Sequence, residues 1–420
     1  MLIDIIKPEY DVVIAGGGLV GGSFALMLQA MLGETSLRIL LVDNTSLCVD
    51  NTDDVSRIFD ARSTALSWGS RKIYEQADIW SNLAPHVTAI RNIHVSDKGH
   101  MGATSLHSTE MDVDALGYVA ENSILNKVIS SGLRGNTQLD VSAGSSVNEV
   151  KPVPCGVSLR IDRDNAESCT VNSRLIVIAD GGRSSICEKL GIGIKRKTYD
   201  QQALICNIAF EKSHDGYAFE RFTDTGPMAV LPLPDLKGEH RGALVWTLTE
   251  AEAPAIMALA DSEFLAALQR RFGYRLGQIT RAGERQLFPL SLNLAAEQIR
   301  PGIVLLGNVA HTLHPVAGQG LNLALRDARE LADLIATTAE AGQYAQIGAY
   351  SWLQQYEKRQ QADQQQTVMF SDLTTRLFSN TNPLLALGRN MGLLGMELLP
   401  PARHWFARQA MGMTDRRTRI

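Results

Sequence analysis

The chain has 420 residues, of which 45% are hydrophobic and 20% charged, and its net charge is -5. This is the composition of an ordinary globular enzyme of about two or three domains, and the net negative charge argues against a nucleic-acid partner. Five cysteines without a CxxC pair and an N-terminus without an apolar run favour a cytoplasmic protein. No stretch approaches the roughly 18 uninterrupted apolar residues of a membrane span, although binding to a membrane surface stays open.

The first 43 residues predict a βαβ unit, and hence a parallel sheet. Residues 11–15 are apolar and β-branched, which is typical of a buried strand. A helix is expected from Leu19 to Leu32, where Gly33 would end it, and residues 37–43 predict a second strand. Two strands joined through a helix in this way lie parallel in one sheet.

Between the first strand and the helix, residues 16–21 read GGGLVG and fit the pattern GxGxxG. In this pattern Gly16 permits the tight turn, Gly18 lets the backbone approach a pyrophosphate, and Gly21 allows close helix packing. Asp43 follows 22 residues after Gly21, where an acid would hold a ribose hydroxyl. The pattern predicts a dinucleotide site without separating FAD from NAD, and an incidental glycine turn is the alternative.

Further strands are expected at residues 174–179 and 302–307, so that one sheet would be assembled from three separated pieces of chain. Other segments alternate apolar and polar residues, as strands of a second sheet with one covered face would. These segments are 90–97, 203–210, 228–233 and 241–248. From about Leu321 onward the pattern is helical, with breaks at Pro383 and at the pair Pro400–Pro401.

Two later segments combine a strand end with a glycine turn. Asp180, directly after the strand at 174–179, could accept hydrogen bonds from a cofactor, although a polar turn without a ligand is the alternative. Residues 307–322 form a glycine-rich loop that opens a helix near Gly320. The positive end of that helix would stabilise the negative charge of a reduced flavin. Asn308 could bind a ribityl chain.

Two histidines, His311 and His314, lie in the same loop. Neither has an evident partner in the sequence for acid–base or metal chemistry, and no metal-ligand spacing is present. We therefore interpret both as loop histidines without a chemical role.

Together the three segments resemble the flavoprotein aromatic hydroxylases, the FAD monooxygenases related to p-hydroxybenzoate hydroxylase. Longer stretches are similar to the ubiquinone-biosynthesis hydroxylases, most of all to their 2-polyprenyl-6-methoxyphenol branch, and the likeness extends over almost the whole chain. These stretches are 94–100, 117–122, 218–233, 307–320 and 388–393. Two departures from the wider superfamily are Asn308 in place of aspartate, which fits this branch, and Cys187 in place of an arginine.

The resemblance implies a fold and its division. The fold is α/β, with a Rossmann-like FAD-binding fold built from three chain segments, a second mixed β-sheet substrate domain and a helical C-terminal region. The implied boundaries are 1–72, 108–187 and 288–345 for the FAD domain, 73–107 and 188–287 for the substrate domain, and 346–420 for the helical region.

The resemblance also implies which residues bind FAD. Those expected to hold the cofactor are Gly16, Gly18, Gly21, Asp43, Arg62, Asp180, Gly307, Asn308, Gly320, Leu321 and Asn322. Those expected beside the reacting part of the flavin ring are Pro315, Gly318, Gln319 and Gly320. For Arg62 the alternative is a solvated surface arginine.

In the implied reaction, NAD(P)H reduces FAD, O2 adds to give a C4a-hydroperoxide, and this species hydroxylates a polyprenylated phenol. No second GxGxxG serves the nicotinamide, and the family has no separate domain for it. Expected walls of the substrate pocket are Phe219, Phe222, Met228, Leu231 and Trp246, unless these residues only form the core of the second domain.

The C-terminal residues 383–420 combine apolar runs with six arginines and two acids. Such a segment could bind the inner membrane surface or other ubiquinone-biosynthesis proteins, while a helix that closes the core is the alternative. Rival functions on the same FAD site are an FAD-dependent reductase of a prenyl lipid and a non-catalytic FAD-stabilised subunit. A flavin-dependent halogenase is disfavoured because the signature WxWxIP is missing.

Overall fold

The computed structural model describes residues 6–33, 35, 37–45, 59, 62–97, 103–136, 138–164, 166–313, 318–378 and 400–413. The strands are β1 (Glu9–Ala15), β2 (Ile39–Asp43), β3 (Ser63–Ser67), β4 (Thr88–Ile90), β5 (Asn92–Asp97), β6 (Ala103–His107), β7 (Gly117–Glu121), β8 (Leu139–Ala143), β9 (Ser145–Val153), β10 (Gly156–Arg163), β11 (Ala166–Ile178), β12 (Ile194–Phe210), β13 (Tyr217–Thr223), β14 (Gly226–Leu236), β15 (Glu239–Thr249), β16 (Ile279–Ala282), β17 (Gln286–Ala295), β18 (Ile299–Arg300), β19 (Ile303–Leu305) and β20 (His311–Thr312). The helices are α1 (Leu19–Leu32), α2 (Trp68–Gln76), α3 (Trp80–Leu83), α4 (Asn122–Gly135), α5 (Ser185–Lys189), α6 (Ala253–Met257), α7 (Asp261–Phe272), α8 (Gln319–Glu340), α9 (Tyr350–Phe378) and α10 (Pro400–Ala410).

The first sheet is built on five parallel strands in the order β19-β11-β1-β2-β8. As predicted, these strands come from three separated pieces of chain. Every residue of β2 is buried, as is expected for a parallel sheet that is covered on both faces. Helix α1 packs on one face against α4 and α8. The carboxyl ends of β1, β2 and β11 therefore meet at one edge, beside the first turn of α1.

The strand expected at residues 174–179 is longer than predicted and begins at Ala166. Its first half pairs antiparallel with β10, which pairs with β9, so the chain forms a three-stranded meander beyond the parallel sheet. This half is mostly exposed, and only Val171 and Ser173 in it are buried. Such a pattern is weaker than the apolar run that follows it, which is why the apolar run alone was predicted.

The second sheet has nine strands in the order β20-β17-β12-β15-β14-β13-β5-β6, with β16 beside β12. It is antiparallel except between β13 and β5. One face packs against α7 through a core that includes Trp246 and Phe264, and residues of the other face line a cavity that residues of the first sheet also line. A small third sheet, β3-β7-β4, lies in the same molecule, and Ile90 of β4 packs with Ala218 of the large sheet.

The described part of the C-terminal region is helical, as predicted. In α10 and the residues after it, Ala407 and Met411 are buried against Trp68 and Leu116, and the Gly69 amide donates a hydrogen bond to the Met411 carbonyl. None of the described helices combines the length and the apolar character needed to cross a bilayer. Residues 379–399, which include Pro383, and residues 414–420 lie outside the described part, so most of segment 383–420 is not described. The domain boundaries stay a prediction.

Candidate functional site

A cavity of about 910 Å³ lies between the two large sheets. At one end its walls are the glycine turn after β1, the end of β2 and the turn after β11. At the other end its walls are single residues from the large sheet, together with side chains from α9 and α10. The cavity therefore joins a polar end, which we call the nucleotide end, to an apolar end.

The glycine turn at the nucleotide end is crowded at two positions and open at the third. Gly16 has a φ of +103°, and a Cβ atom there would lie 2.5 Å from the Ala179 carbonyl oxygen. A Cβ atom on Gly21 would lie only 1.9 Å from the Gly16 carbonyl oxygen. At Gly18, by contrast, a Cβ atom would meet no atom within 4 Å, because this position faces the cavity. The turn is therefore packed on its inner side and leaves room for a ligand on its outer side.

The N-terminus of α1 carries no side-chain cap and no acid in its first turn. Its free N–H groups and positive dipole end are suited to an anion such as a pyrophosphate. Gly18 is the N-cap residue, so the open side of the turn and the free amides coincide. This arrangement fits the diphosphate of a dinucleotide.

Asp43 lies at the end of β2 and lines the cavity. Its carboxylate accepts hydrogen bonds from the Gly17 amide and, at 2.7 Å, from the Thr45 amide. The Thr45 hydroxyl donates a further hydrogen bond to the same carboxylate. A carboxylate has about four acceptor sites, so capacity remains for a ribose hydroxyl. The location matches the one that the sequence predicts for the acid of a dinucleotide fold.

Asp180 also lines the cavity, directly after β11. Burial raises the pKa of its carboxyl, while a hydrogen bond of 2.7 Å from the Ser184 hydroxyl acts in the opposite direction. Ser184 accepts a hydrogen bond from the Cys187 amide and so begins α5. Cys187, which occupies the position of the superfamily's arginine, is therefore buried in this short helix and does not line the cavity.

The third segment meets the cavity from the side of α8. Gly307 has a φ of +78°, and a side chain there would crowd Val20 of α1. The next residue, Asn308, is exposed and lines the cavity. Helix α8 begins after Gly318, which adopts a left-handed conformation. A Cβ atom on Gly320 would meet no atom within 4 Å, so this backbone is open to the cavity.

The remaining residues of this segment differ in their surroundings. Leu321 lines the cavity. Gln319 is buried, and its side-chain amide points toward the Ala410 carbonyl at 3.4 Å, which ties the start of α8 to α10. Pro315 lies outside the described residues, together with the rest of 314–317.

Asn322 lines the cavity, but its side chain is fully engaged with protein groups. Its carbonyl oxygen accepts hydrogen bonds from the Ser67 amide at 2.8 Å and the Ser70 hydroxyl at 2.6 Å. Its NH2 group donates to the carbonyls of Ala65 at 2.9 Å and Gly318 at 2.7 Å. Asn322 thus fastens the first turn of α8 to β3 and α2. We infer that it positions the backbone around a cofactor without binding the cofactor through its side chain.

Arg62 is exposed, and its guanidinium lies over the Phe288 ring at 5.8 Å from the ring centre. Its neighbours Ser63 and Thr64 belong to the cavity lining, whereas Arg62 does not. Its assignment to the flavin's phosphate and ribityl side stays a prediction.

Of the five predicted pocket walls, Leu231 lines the cavity, and Phe219 borders it although its ring packs against Phe272 in the core on the α7 side. The prediction is wrong for Met228 and Trp246. They are paired across β14 and β15 and lie in the core against α7, on the other face of the sheet. The reason is the two-residue period of a strand, which sends Leu231 to the cavity and Met228 away from it. The prediction is also wrong for Phe222, which is buried against Val95 and does not line the cavity.

The sequence interpretation missed most of the apolar end. The missed residues of the large sheet are Ile93, Ile205, Ala218, Glu220, Ala229 and Val245, and those of the C-terminal helices are Phe370, Phe406 and Ala410. The alternation along β14 and β15 was a usable signal, because Leu231 and Val245 share one face. The sequence left open that a C-terminal helix closes the core, but it did not indicate that α9 and α10 meet over this face of the sheet, where the Phe370 and Phe406 rings lie 5.5 Å apart.

No partner for His311 was evident in the sequence, but the structure provides one, while the absence of a chemical role for His311 stays a prediction. Its Nε2 atom lies 2.7 Å from the Asp327 carboxylate, and both side chains are almost fully buried. The Gln364 side chain donates to the same carboxylate oxygen at 3.0 Å. This group links β20, α8 and α9 behind the cavity wall, outside the lining, and His314 lies outside the described residues.

Comparison with known proteins identifies relatives that match most of the chain. The family described as FAD binding domain matches residues 9–371. The chain is 33% identical over 403 residues to ubiquinone hydroxylase UbiL of Rhodospirillum rubrum, covering 96% of this chain and 89% of that protein. It is 27% identical to 3-demethoxyubiquinol 3-hydroxylase of Escherichia coli, and the match covers 96% of this chain and 98% of that protein.

Among solved structures, the fold is similar to p-nitrophenol 4-monooxygenase PnpA of Pseudomonas putida DLL-E4. The TM-score is 0.73 at 17% identity, and the match covers 98% of this chain and 100% of that chain. At this identity the likeness concerns the fold, which agrees with the α/β architecture predicted from the sequence.

Proposed function

Because this chain belongs to the FAD binding domain family, and within it to the ubiquinone-biosynthesis FAD-dependent hydroxylases, we propose that it hydroxylates a polyprenylated phenol of the 2-polyprenyl-6-methoxyphenol class. The chain is an FAD-dependent aromatic hydroxylase, and FAD is its cofactor. The proposal concerns the substrate and the way in which the site uses it.

The observation that supports the proposal is a continuous cavity that joins the nucleotide end to an apolar end. A bound dinucleotide needs the free amides and the acid of the first end, and a prenylated ring needs an apolar wall. Ile205, Leu231 and Val245 provide such a wall from three strands of the large sheet. A rigid sheet is a suitable support because it holds a ring in one orientation.

The residues present fit FAD. The first turn of α1 and the open side of Gly18 would hold the diphosphate, and Asp43 would hold the adenosine ribose. Asn308 would bind the ribityl chain. The open backbone at Gly320 would lie against the flavin ring, with the uncapped N-terminus of α8 directed at it. When bound and reduced by NAD(P)H, FAD supplies the activation of O2 from which the ring receives an oxygen atom.

The protein itself has to orient the phenol and keep water out. The apolar residues of the large sheet and Phe370 and Phe406 from α9 and α10 cover the end of the cavity away from the nucleotide. An apolar cover limits the access of water to the reacting centre. The hydrogen bonds of Asn322 hold the first turn of α8 against β3 and α2, which fixes the backbone that borders the cavity.

The test is aerobic incubation of the purified chain with FAD, NAD(P)H and 2-polyprenyl-6-methoxyphenol under ¹⁸O2, with products followed by mass spectrometry. We expect a product heavier by one labelled oxygen atom. Oxygen-independent consumption of NAD(P)H with a reduced prenyl chain would instead identify a prenyl-lipid reductase. Bound FAD without any turnover would indicate a non-catalytic FAD-stabilised subunit.

Binding of segment 383–420 to a membrane or to other ubiquinone-biosynthesis proteins is part of the proposal. Trp405 of α10 is 60% exposed, as a membrane-facing aromatic residue would be. Flotation of the chain with anionic liposomes should be weakened by Trp405→Gln. Equal flotation of both proteins would contradict the membrane contact of this helix.

A further inference from the structure

The wall that the large sheet presents to the cavity contains one polar side chain. Among the described residues, eight from this sheet line the cavity, and seven of them are apolar. The eighth is Glu220, in the middle of β13. A carboxyl group in an otherwise apolar wall costs folding free energy and is therefore a candidate for a function.

The residues paired with Glu220 in the sheet have no side-chain group that could form a hydrogen bond with its carboxylate. Its cross-strand partners are Ala229 in β14 and Val95 in β5, both apolar. No described side chain donates a hydrogen bond to its carboxylate. The next carboxyl on the same face of the sheet is Asp97, which lies opposite Phe222 in β5. Arg221 points to the other face, where it donates to the Phe272 carbonyl at 2.9 Å.

Among the residues that the structure describes, the other elements around the apolar end add no titratable group to the lining. They are β4, β12, β15, α8, α9 and α10, which contribute Ile90, Ile205, Val245, Leu321, Phe370 and Phe406. The charged residues of the lining, Asp43, Asp180 and Arg183, belong to the nucleotide end. Removal of water from the carboxyl raises the pKa of Glu220 from its usual 4.5 to about 7.

We propose, on the basis of the function proposed above, that the Glu220 carboxylate accepts the hydroxyl proton of the phenol bound against the large sheet. The phenol O–H bond breaks, its electron pair stays on the phenol oxygen, and the proton forms an O–H bond on Glu220. No electrons are transferred in this step. When the hydroxylated product leaves, the proton returns to the phenol oxygen and the carboxylate is restored.

This proton transfer serves the reaction because a phenolate oxygen gives more electron density to the ring than a phenol oxygen does. The ring then reacts more readily with an electrophilic oxygen. A base whose pKa lies near the working pH is a more effective proton acceptor than an ordinary surface carboxylate. The same residue also selects substrates, since a ring without a hydroxyl group would leave the carboxylate without a partner.

The test compares Glu220→Gln with the control Glu250→Gln, which makes the same change at an exposed position after β15. Both are measured as FAD-loaded proteins with 2-geranyl-6-methoxyphenol as the probe. We expect Glu220→Gln to lower kcat by about 100-fold, the typical effect of losing a general base. KM should change less than kcat, because the Gln side chain can still accept a hydrogen bond. Glu250→Gln should match the wild type, and Glu220→Asp should recover part of the rate.

The pH profile gives a readout that a merely structural role would not change. Wild-type kcat should rise as the pH increases through about 7, where Glu220 loses its proton, and Glu220→Gln should lack this rise. Equal kcat values and the same pH profile in the wild type and Glu220→Gln would overturn the role of Glu220 while leaving the proposed function intact.

A binding measurement separates the two proposals further. The ultraviolet difference spectrum of the bound probe at pH 8 should be that of a phenolate in the wild type and of a phenol in Glu220→Gln. A phenol spectrum in both proteins would overturn the proton transfer even if hydroxylation occurs. If the wild type inserts no oxygen, the proposed function fails, and this spectrum still decides whether Glu220 ionises the ring.

Discussion

At the nucleotide end of the cavity, Gly16, Gly18 and Asp43 come from one βαβ unit of about 35 residues, whereas the apolar end takes its wall from five strands spread between Asn92 and Thr249. The first end is made mainly of backbone, since its open space lies where a glycine has no side chain. The second is made of side chains, each of which reaches the cavity because its strand turns that face inward. A substitution should therefore act through backbone clashes at the first end and through the orientation of the strand face at the second.

The largest expected effect is the difference in stability between alanine substitutions at Gly21 and Gly18, two glycines of the same turn. In Gly21→Ala the new Cβ atom would lie 1.9 Å from the Gly16 carbonyl oxygen, so the helix must move away from the turn. We expect a loss of more than about 4 kcal/mol in the free energy of unfolding and no FAD retention. Gly18→Ala should keep the stability of the apo-protein but bind FAD more weakly, since its Cβ atom points into open space. Urea unfolding and FAD titration measure the two effects, and equal stability losses would contradict the distinction.

The next effect compares the two faces of β14. Met228 is fully buried against α7, so Met228→Ala should reduce the free energy of unfolding by about 2–5 kcal/mol with little change in KM for the phenol. Leu231→Ala enlarges the cavity, so it should raise the KM for the phenol with a smaller loss of stability than Met228→Ala. Thermal unfolding together with steady-state kinetics measures both variants. A larger KM change in Met228→Ala would show that the faces are assigned incorrectly.

A smaller effect is expected at Asn322, which ties the first turn of α8 to β3 and α2. Asn322→Ala removes four hydrogen bonds and leaves the buried Ser67 amide without its side-chain partner, while the Ser70 hydroxyl keeps the Ser67 hydroxyl, and this should cost about 3 kcal/mol of stability. Ser70→Ala removes one of these bonds and should cost about 1 kcal/mol. Chemical unfolding gives both values. A large loss of FAD affinity in Asn322→Ala without any loss of stability would point to direct contact between this side chain and the cofactor.

The smallest effect is expected at Asn308. Its side chain is exposed toward the cavity, so Asn308→Ala should leave the melting temperature of the apo-protein unchanged. If it binds the ribityl chain, the Kd for FAD should rise about 10-fold, which corresponds to about 1.4 kcal/mol. Fluorescence titration of FAD measures this change. Wild-type affinity would remove the role assigned to Asn308.

The sequence by itself determined the βαβ unit. Helix α1 has the predicted bounds, and the positions of Gly16, Gly18, Gly21 and Asp43 follow from contacts over a few tens of residues. A tight turn, a helix start and a right-handed crossover have one geometry in almost any protein, so local residues are sufficient to predict them.

The tertiary structure alone decided which strand face meets the cavity and what closes it. Strand alternation places Met228 and Leu231 on opposite faces of β14, and only the packing of α7 decides which of these faces is turned away from the cavity. Asn322 accepts a hydrogen bond from the Ser67 amide, which lies 255 residues away in the sequence. His311 contacts Asp327 only because β20 and α8 pack together. Such contacts depend on the sum of many weak packing interactions over the whole chain, and no short segment of sequence encodes them.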